Sequence, residues 1–138
     1  MEQNNKINHL NMIQQIISRM SNNSFKLKGW SVGIMIAIYA FAGNNSHKAV
    51  VVTLIPLIVF WSLDAYYLML ERKYRKLYDK VRLENDEQID FNMNFNNIKI
   101  DMKESNKYGY INSFVSKTVL PFYLVCIITT LIIYFVKF

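Results

Sequence analysis

AVVVTLIPLIVFWSLDAYYLML (residues 49–70) runs straight into ERKYRKLYDKVRLEN (residues 71–85) without a turn signal between them. The first block holds 22 mostly apolar residues, broken by Thr53, Ser62 and Asp64. At ~1.5 Å per residue it reaches ~33 Å, enough to cross the hydrocarbon of a bilayer as a helix. The second block keeps a helical period, because Tyr74, Leu77, Tyr78 and Val81 recur at i, i+3, i+4 and i+7 while cations fill the remaining surface. One rod is therefore expected to leave the membrane and carry an apolar stripe into water. That stripe requires a partner.

Working outward, the first apolar run, Gly29 to Gly43, is short and must recruit Phe25 and Leu27, with Lys26 and Lys28 reaching back to the interface. Gly29, Gly33 and Ala37 place small residues four apart, a face that lets another helix backbone come close. Ala40-Phe41-Ala42 also fits a cleavage site, although the polar leader is longer than a signal peptide needs. A third run, Thr118 to Val136, carries no charge and has Pro121 in its first turn. The connector Gly43 to Lys48 makes the first two runs antiparallel neighbours. Pro56 is expected to bend the second.

The remaining segments are polar but patterned. In residues 1–24, Ile7, Leu10, Ile13, Ile17 and Met20 share one helical side, suited either to the headgroup plane or to packing on the stalk. Packing is the better fit, because few cations precede Lys26. Ser21-Asn22-Asn23-Ser24 ends that pattern, with Ser24 as the cap of the next helix. After Asn85 the period changes to two: Ile89, Phe91, Met93 and Phe95 alternate, Asn96-Asn97 follows, and Ile98, Ile100 and Met102 alternate again. That reads as a β-hairpin. Glu104 to Lys117 forms a re-entry segment with Tyr108, Tyr110 and Phe114 as interfacial anchors.

The expected architecture is thus a membrane all-α protein: an amphipathic cytoplasmic helix (1–24), transmembrane helices at 25–43, 49–70 and 118–136, a stalk (71–85), and a cytoplasmic hairpin with re-entry segment (86–117). Lys and Arg number 4 before the first run, 1 in the connector, 10 between Leu70 and Thr118 and 1 at the end. The positive-inside rule then places the N-terminus and residues 71–117 in the cytoplasm and the C-terminus outside.

Composition narrows the function. The chain has 138 residues, 52% of them hydrophobic, and a net charge of +6, with its cations set beside apolar runs. They suit anionic headgroups, and no basic-aromatic platform accompanies them, so nucleic acid is not an expected partner. Two histidines, one cysteine (Cys126), no phosphate loop and no metal spacing argue against an enzyme, a metal site or a cofactor. Asp86, Glu87 and Asp90 sit in a polar linker where solvation explains them.

Asp64 is the one ionisable residue inside the runs, and such a carboxylate faces the bundle interior, a partner or water. It shares a helix face with Glu71, Arg72 and Arg75, a polar seam descending from the membrane. The functional reading is a water-accessible lining or a proton- or ion-sensitive switch; the plainer one is a hydrogen-bonded residue near the boundary. Glu71 and Arg75 also form an ordinary i,i+4 pair.

Trp61-Ser62-Leu63-Asp64-Ala65-Tyr66-Tyr67-Leu68, then Glu71-Arg72 and Tyr74-Arg75-Lys76-Leu77-Tyr78, followed by Ser116-Lys117-Thr118-Val119-Leu120-Pro121-Phe122-Tyr123, resembles the bacterial RipA-type family of small octameric membrane proteins. The resemblance covers roughly residues 25–136. It implies a non-enzymatic inner-membrane protein forming a homo-oligomeric ring, an octamer, associated with adaptation inside host cells. Similar small proteins serve as membrane-damaging effectors in anti-phage defence, triggered by a soluble cytoplasmic sensor.

Two functions follow from these residues. One is a pore-forming or membrane-perturbing effector, its subunits packed through Gly29, Gly33, Ala37, Tyr74, Leu77, Tyr78 and Val81. The other is a membrane scaffold that recruits a soluble partner.

Overall fold

The computed structural model describes residues 2–41, 46–85, 89–95 and 105–136. Two long helices dominate: α1 (Glu2–Phe41) and α2 (Ser46–Leu83), of 40 and 38 residues. A 3-10 turn (Asn106–Tyr108), the short helix α3 (Tyr110–Phe114) and α4 (Leu120–Val136) complete the order. At ~1.5 Å per residue α1 and α2 are each close to 60 Å long. They lie antiparallel along most of that length. Lys6 Nζ donates to the Glu84 carbonyl at 2.7 Å at one end, and Lys28 meets Asp64 well along the pair.

Each long helix has a polar half and an apolar half, and like faces like. In the polar half, Ile13 and Ile17 of α1 pack on Leu77 and Val81 of α2, with Leu10, Tyr74, Tyr78, Ile89 and Met93 around them. In the apolar half, Leu57 of α2 joins Val119, Tyr123 and Cys126 from the start of α4, under Val32 and Met35 of α1.

Three expectations are corrected. Residues 21–24 do not separate two helices: α1 passes through them unbroken, because Ile13, Ile17 and Leu27 already bury one continuous side. No strand occurs among the described residues. Ile89 to Asn94 is irregular, folded by local bonds in which Asn92 N donates to Asp90 Oδ1 and Asn94 N to Asn92 Oδ1, each at 2.9 Å. Such Asx turns compete with a ladder; the turn Asn96-Asn97 and the second arm lie outside the described residues. Finally, among the described residues one helix and not three is long and apolar enough to cross a membrane, over Val50–Leu83. Lys26 and Lys28 cut into the apolar run of α1, and α4 is a shorter apolar helix of 17 residues.

The segment before α4 is tied to α2 by three side chains. Trp61 Nε1 donates to the Phe114 carbonyl at 3.0 Å, and its ring stacks on Phe114 with centroids 4.2 Å apart. The Tyr110 hydroxyl donates to the Ser62 carbonyl at 3.1 Å. Arg72 donates to the Lys107 carbonyl and to Ser113 Oγ, at 3.1 and 3.4 Å. These bonds hold α3 beside residues 61–72, where the apolar half of α2 ends.

Candidate functional site

Asp64 is fully buried, and its carboxylate is spent inside the chain. One oxygen accepts from the Ser24 hydroxyl, and the other forms an ion pair with Lys28 Nζ at 2.5 Å. Lys28 Nζ also donates to Ser24 Oγ at 2.9 Å, closing a triangle of side chains. The antiparallel register builds it: Lys28 follows Ser24 by one turn of α1, and both face Asp64 across the helix pair. The Tyr123 hydroxyl is buried close to Asp64, Ser31 and Cys126 and makes no hydrogen bond among the described residues. Ser31 Oγ is already committed to the Lys28 carbonyl at 2.8 Å.

A buried charge pair of this kind contributes little net stability, yet removing one partner strands the other charge at a cost of about 3–5 kcal/mol. Its effect is to fix register: sliding α1 by one turn against α2 breaks the contact.

The expected seam of Asp64, Glu71, Arg72 and Arg75 separates into three unrelated environments. Asp64 is enclosed, and Arg72 clamps α3. Glu71, mostly covered, pairs with the exposed Arg75 at 2.8 Å one turn along α2, an i,i+4 contact worth a fraction of a kcal/mol. The residues expected to pack between subunits divide as well. Leu77 and Val81 are buried, and Tyr74 and Tyr78 half-buried, by the chain's own α1 and its 89–95 segment. Gly29, Gly33 and Ala37 stay exposed, and a Cβ at either glycine meets nothing within 4 Å.

Sequence reasoning did not name Lys28 and Ser24 as partners of Asp64. The signal was present, because a short connector between antiparallel helices pairs residues at matching distances on its two sides. His9 was missed as well. It is buried in the polar half with neither ring nitrogen hydrogen-bonded among the described residues, its ring 5.4 Å from that of Phe91. Phe91 has φ 53°, the left-handed region that bulky residues avoid.

A wide groove of ≈ 350 Å³ lies on the polar half of α1, lined by Met12, Gln15, Ile16, Arg19 and Met93. Among the described residues no group of three His, Cys, Asp or Glu side chains is placed to hold a metal ion.

No family model, curated protein or solved structure matches the chain.

Proposed function

We propose that this chain is a non-enzymatic scaffold of the bacterial inner membrane, with its apolar half in lipid and its polar half standing in the cytoplasm to receive a soluble partner. The observation that carries the reading is an inversion of burial along the helix pair. In the polar half, apolar side chains are inside and charges outside. In the apolar half, Ser31, Thr53, Asp64 and Thr130 are buried together with Leu57, Ala65, Val119 and Cys126, while Val51, Ile55, Ile58, Val125, Ile128 and Ile132 face out. An exposed apolar surface of that extent is untenable in water and ordinary in hydrocarbon. The excess of Lys and Arg on the polar side supports its cytoplasmic placement.

The receiving surface is the groove at Met12, Ile16 and Met93, where flexible thioethers suit an apolar helix face. It is available because the stripe at Leu77 and Val81 is already covered from within. A photo-crosslinker at Met12 should give a defined heterologous adduct, abolished by Ile16→Glu, and reconstituted vesicles should remain sealed to a trapped dye. Dye release without an adduct would overturn the scaffold.

A second reading is favoured by the open Gly29 and Gly33 face: a membrane-perturbing homo-oligomer assembled through the apolar halves. It rests on that face alone, since neither the stalk stripe nor Asp64 points to a neighbour. Native mass spectrometry in detergent distinguishes the two.

A further inference from the structure

α3 repeats the inversion in miniature. Its buried side chain is Ser113, at 0% exposure, while Ile111 and Val115 are 77% and 51% exposed and Tyr110 also faces out. Ser113 is at ease inside, because it donates to the Gly109 carbonyl at 3.1 Å and accepts from Arg72. In water the helix would gain by turning over, yet Trp61, Tyr110 and Arg72 fix it in this orientation on α2. A five-residue helix held with its apolar edge outward, beside the end of the apolar half, fits the boundary between headgroups and acyl chains.

The charge around it selects the lipid. From Ser105 to Leu120 there are two lysines, Lys107 and Lys117, both exposed, and no acidic residue, with Glu104 preceding the stretch and leaving residues 104–120 with a net charge of +1. The nearest carboxylate on the facing stretch of α2, Asp64, is neutralised by Lys28, and Glu71 by Arg75. The surface is therefore apolar in its centre with exposed cations on either side, paired with no carboxylate among the described residues, the complement of an anionic phospholipid: acyl chains against Ile111 and Val115, phosphate against ammonium. We propose that α3 with Lys107 and Lys117 is a docking surface for anionic phospholipid headgroups at the cytoplasmic face. This rests on the bilayer placement proposed above.

Two lysines at a headgroup surface enrich anionic over zwitterionic lipid on the order of tenfold. The test uses the full chain reconstituted in phosphatidylcholine vesicles containing phosphatidylglycerol. With Trp30→Phe leaving Trp61 as reporter, brominated phosphatidylglycerol should quench more strongly than brominated phosphatidylcholine at equal fraction. Lys107→Gln with Lys117→Gln should equalise the two. Spin labels at 111 and 115, in a Cys126→Ser background, should collide with oxygen more than with a water-soluble nickel chelate, and a label at 112 should do the reverse.

Equal quenching in the parent, or water-like labels at 111 and 115, overturns the docking surface. A label at Ile55 separates the two levels. If it lies in lipid while 111 and 115 lie in water, the platform alone fails. If Ile55 is also in water, the bilayer placement has failed with it.

Discussion

The two halves of the helix pair are built from the same backbone and obey opposite rules. Between α1 and α2, the polar half buries Ile13, Ile17, Leu77 and Val81, and the apolar half buries Asp64, Ser31 and Thr53 beside Leu27, Val50, Leu57 and Ala65. The bilayer placement proposed above would account for the difference through the solvent outside. Water expels apolar surface and hydrates charge, so the stalk closes on aliphatic side chains. In hydrocarbon polar groups have no other partner, so hydroxyls and an ion pair are buried between the helices beside Leu57 and Ala65. The Lys28–Asp64–Ser24 triangle stands where one rule gives way to the other. His9 is the exception that strains the stalk.

The comparison breaks hardest at the triangle. Asp64→Leu should lower unfolding stability in detergent by about 3–5 kcal/mol, since Lys28 would remain as an uncompensated charge only 19% exposed. Lys28→Met with Asp64→Leu should recover most of the loss. A double variant as unstable as the single one would show that the pair does more than cancel itself.

Truncation tests the two halves against each other. Ile17→Ala removes buried stalk volume and should cost about 2–4 kcal/mol. Ile55→Ala, on the outward face of the apolar half, should stay within about 0.5 kcal/mol. Thermal unfolding followed by circular dichroism in one detergent reads both. Similar losses would mean that the outward face is covered after all.

His9 sharpens the exception. Its buried nitrogens have no hydrogen-bond partner among the described residues, so His9→Leu should raise stability by about 1–2 kcal/mol, measured in the same melts. A loss would mean that the imidazole has a partner in the folded protein.

What was legible in the sequence tracks these rules. The long rod through Leu70 and Glu71 was readable because a 3.6-residue period survives the change of solvent. The apolar stripe on 1–24 was readable for the same reason, as was its fit to Leu77 and Val81. The break at residues 21–24 was misread, because Ser and Asn are poor helix formers locally, and tertiary packing outweighs propensity over four residues. The hairpin was misread because alternating Phe and Met beside Asn suits strands and Asx turns equally, and the Asp90 and Asn92 carboxamide and carboxylate oxygens captured the backbone amides first. Asp64 stood out at once; its partners did not, since they depend on the register of two helices and not on any local pattern.

Gly33 bears most directly on assembly. Gly33 is helical and open, with nothing within 4 Å of a Cβ placed there. Gly33→Ala should therefore stabilise the monomer by about 0.5–1 kcal/mol through reduced freedom of the unfolded chain. Gly33→Leu should be equally well tolerated by the fold, because its side chain would project from the same open face. If copies meet backbone to backbone through Gly29, Gly33 and Ala37, however, Leu separates them: native mass spectrometry in detergent would show an oligomer in the parent and a monomer in the variant, with unchanged melting of the stalk. If mass and melt are both unmoved, that face meets only lipid, and the work of the protein falls to the stalk and its groove.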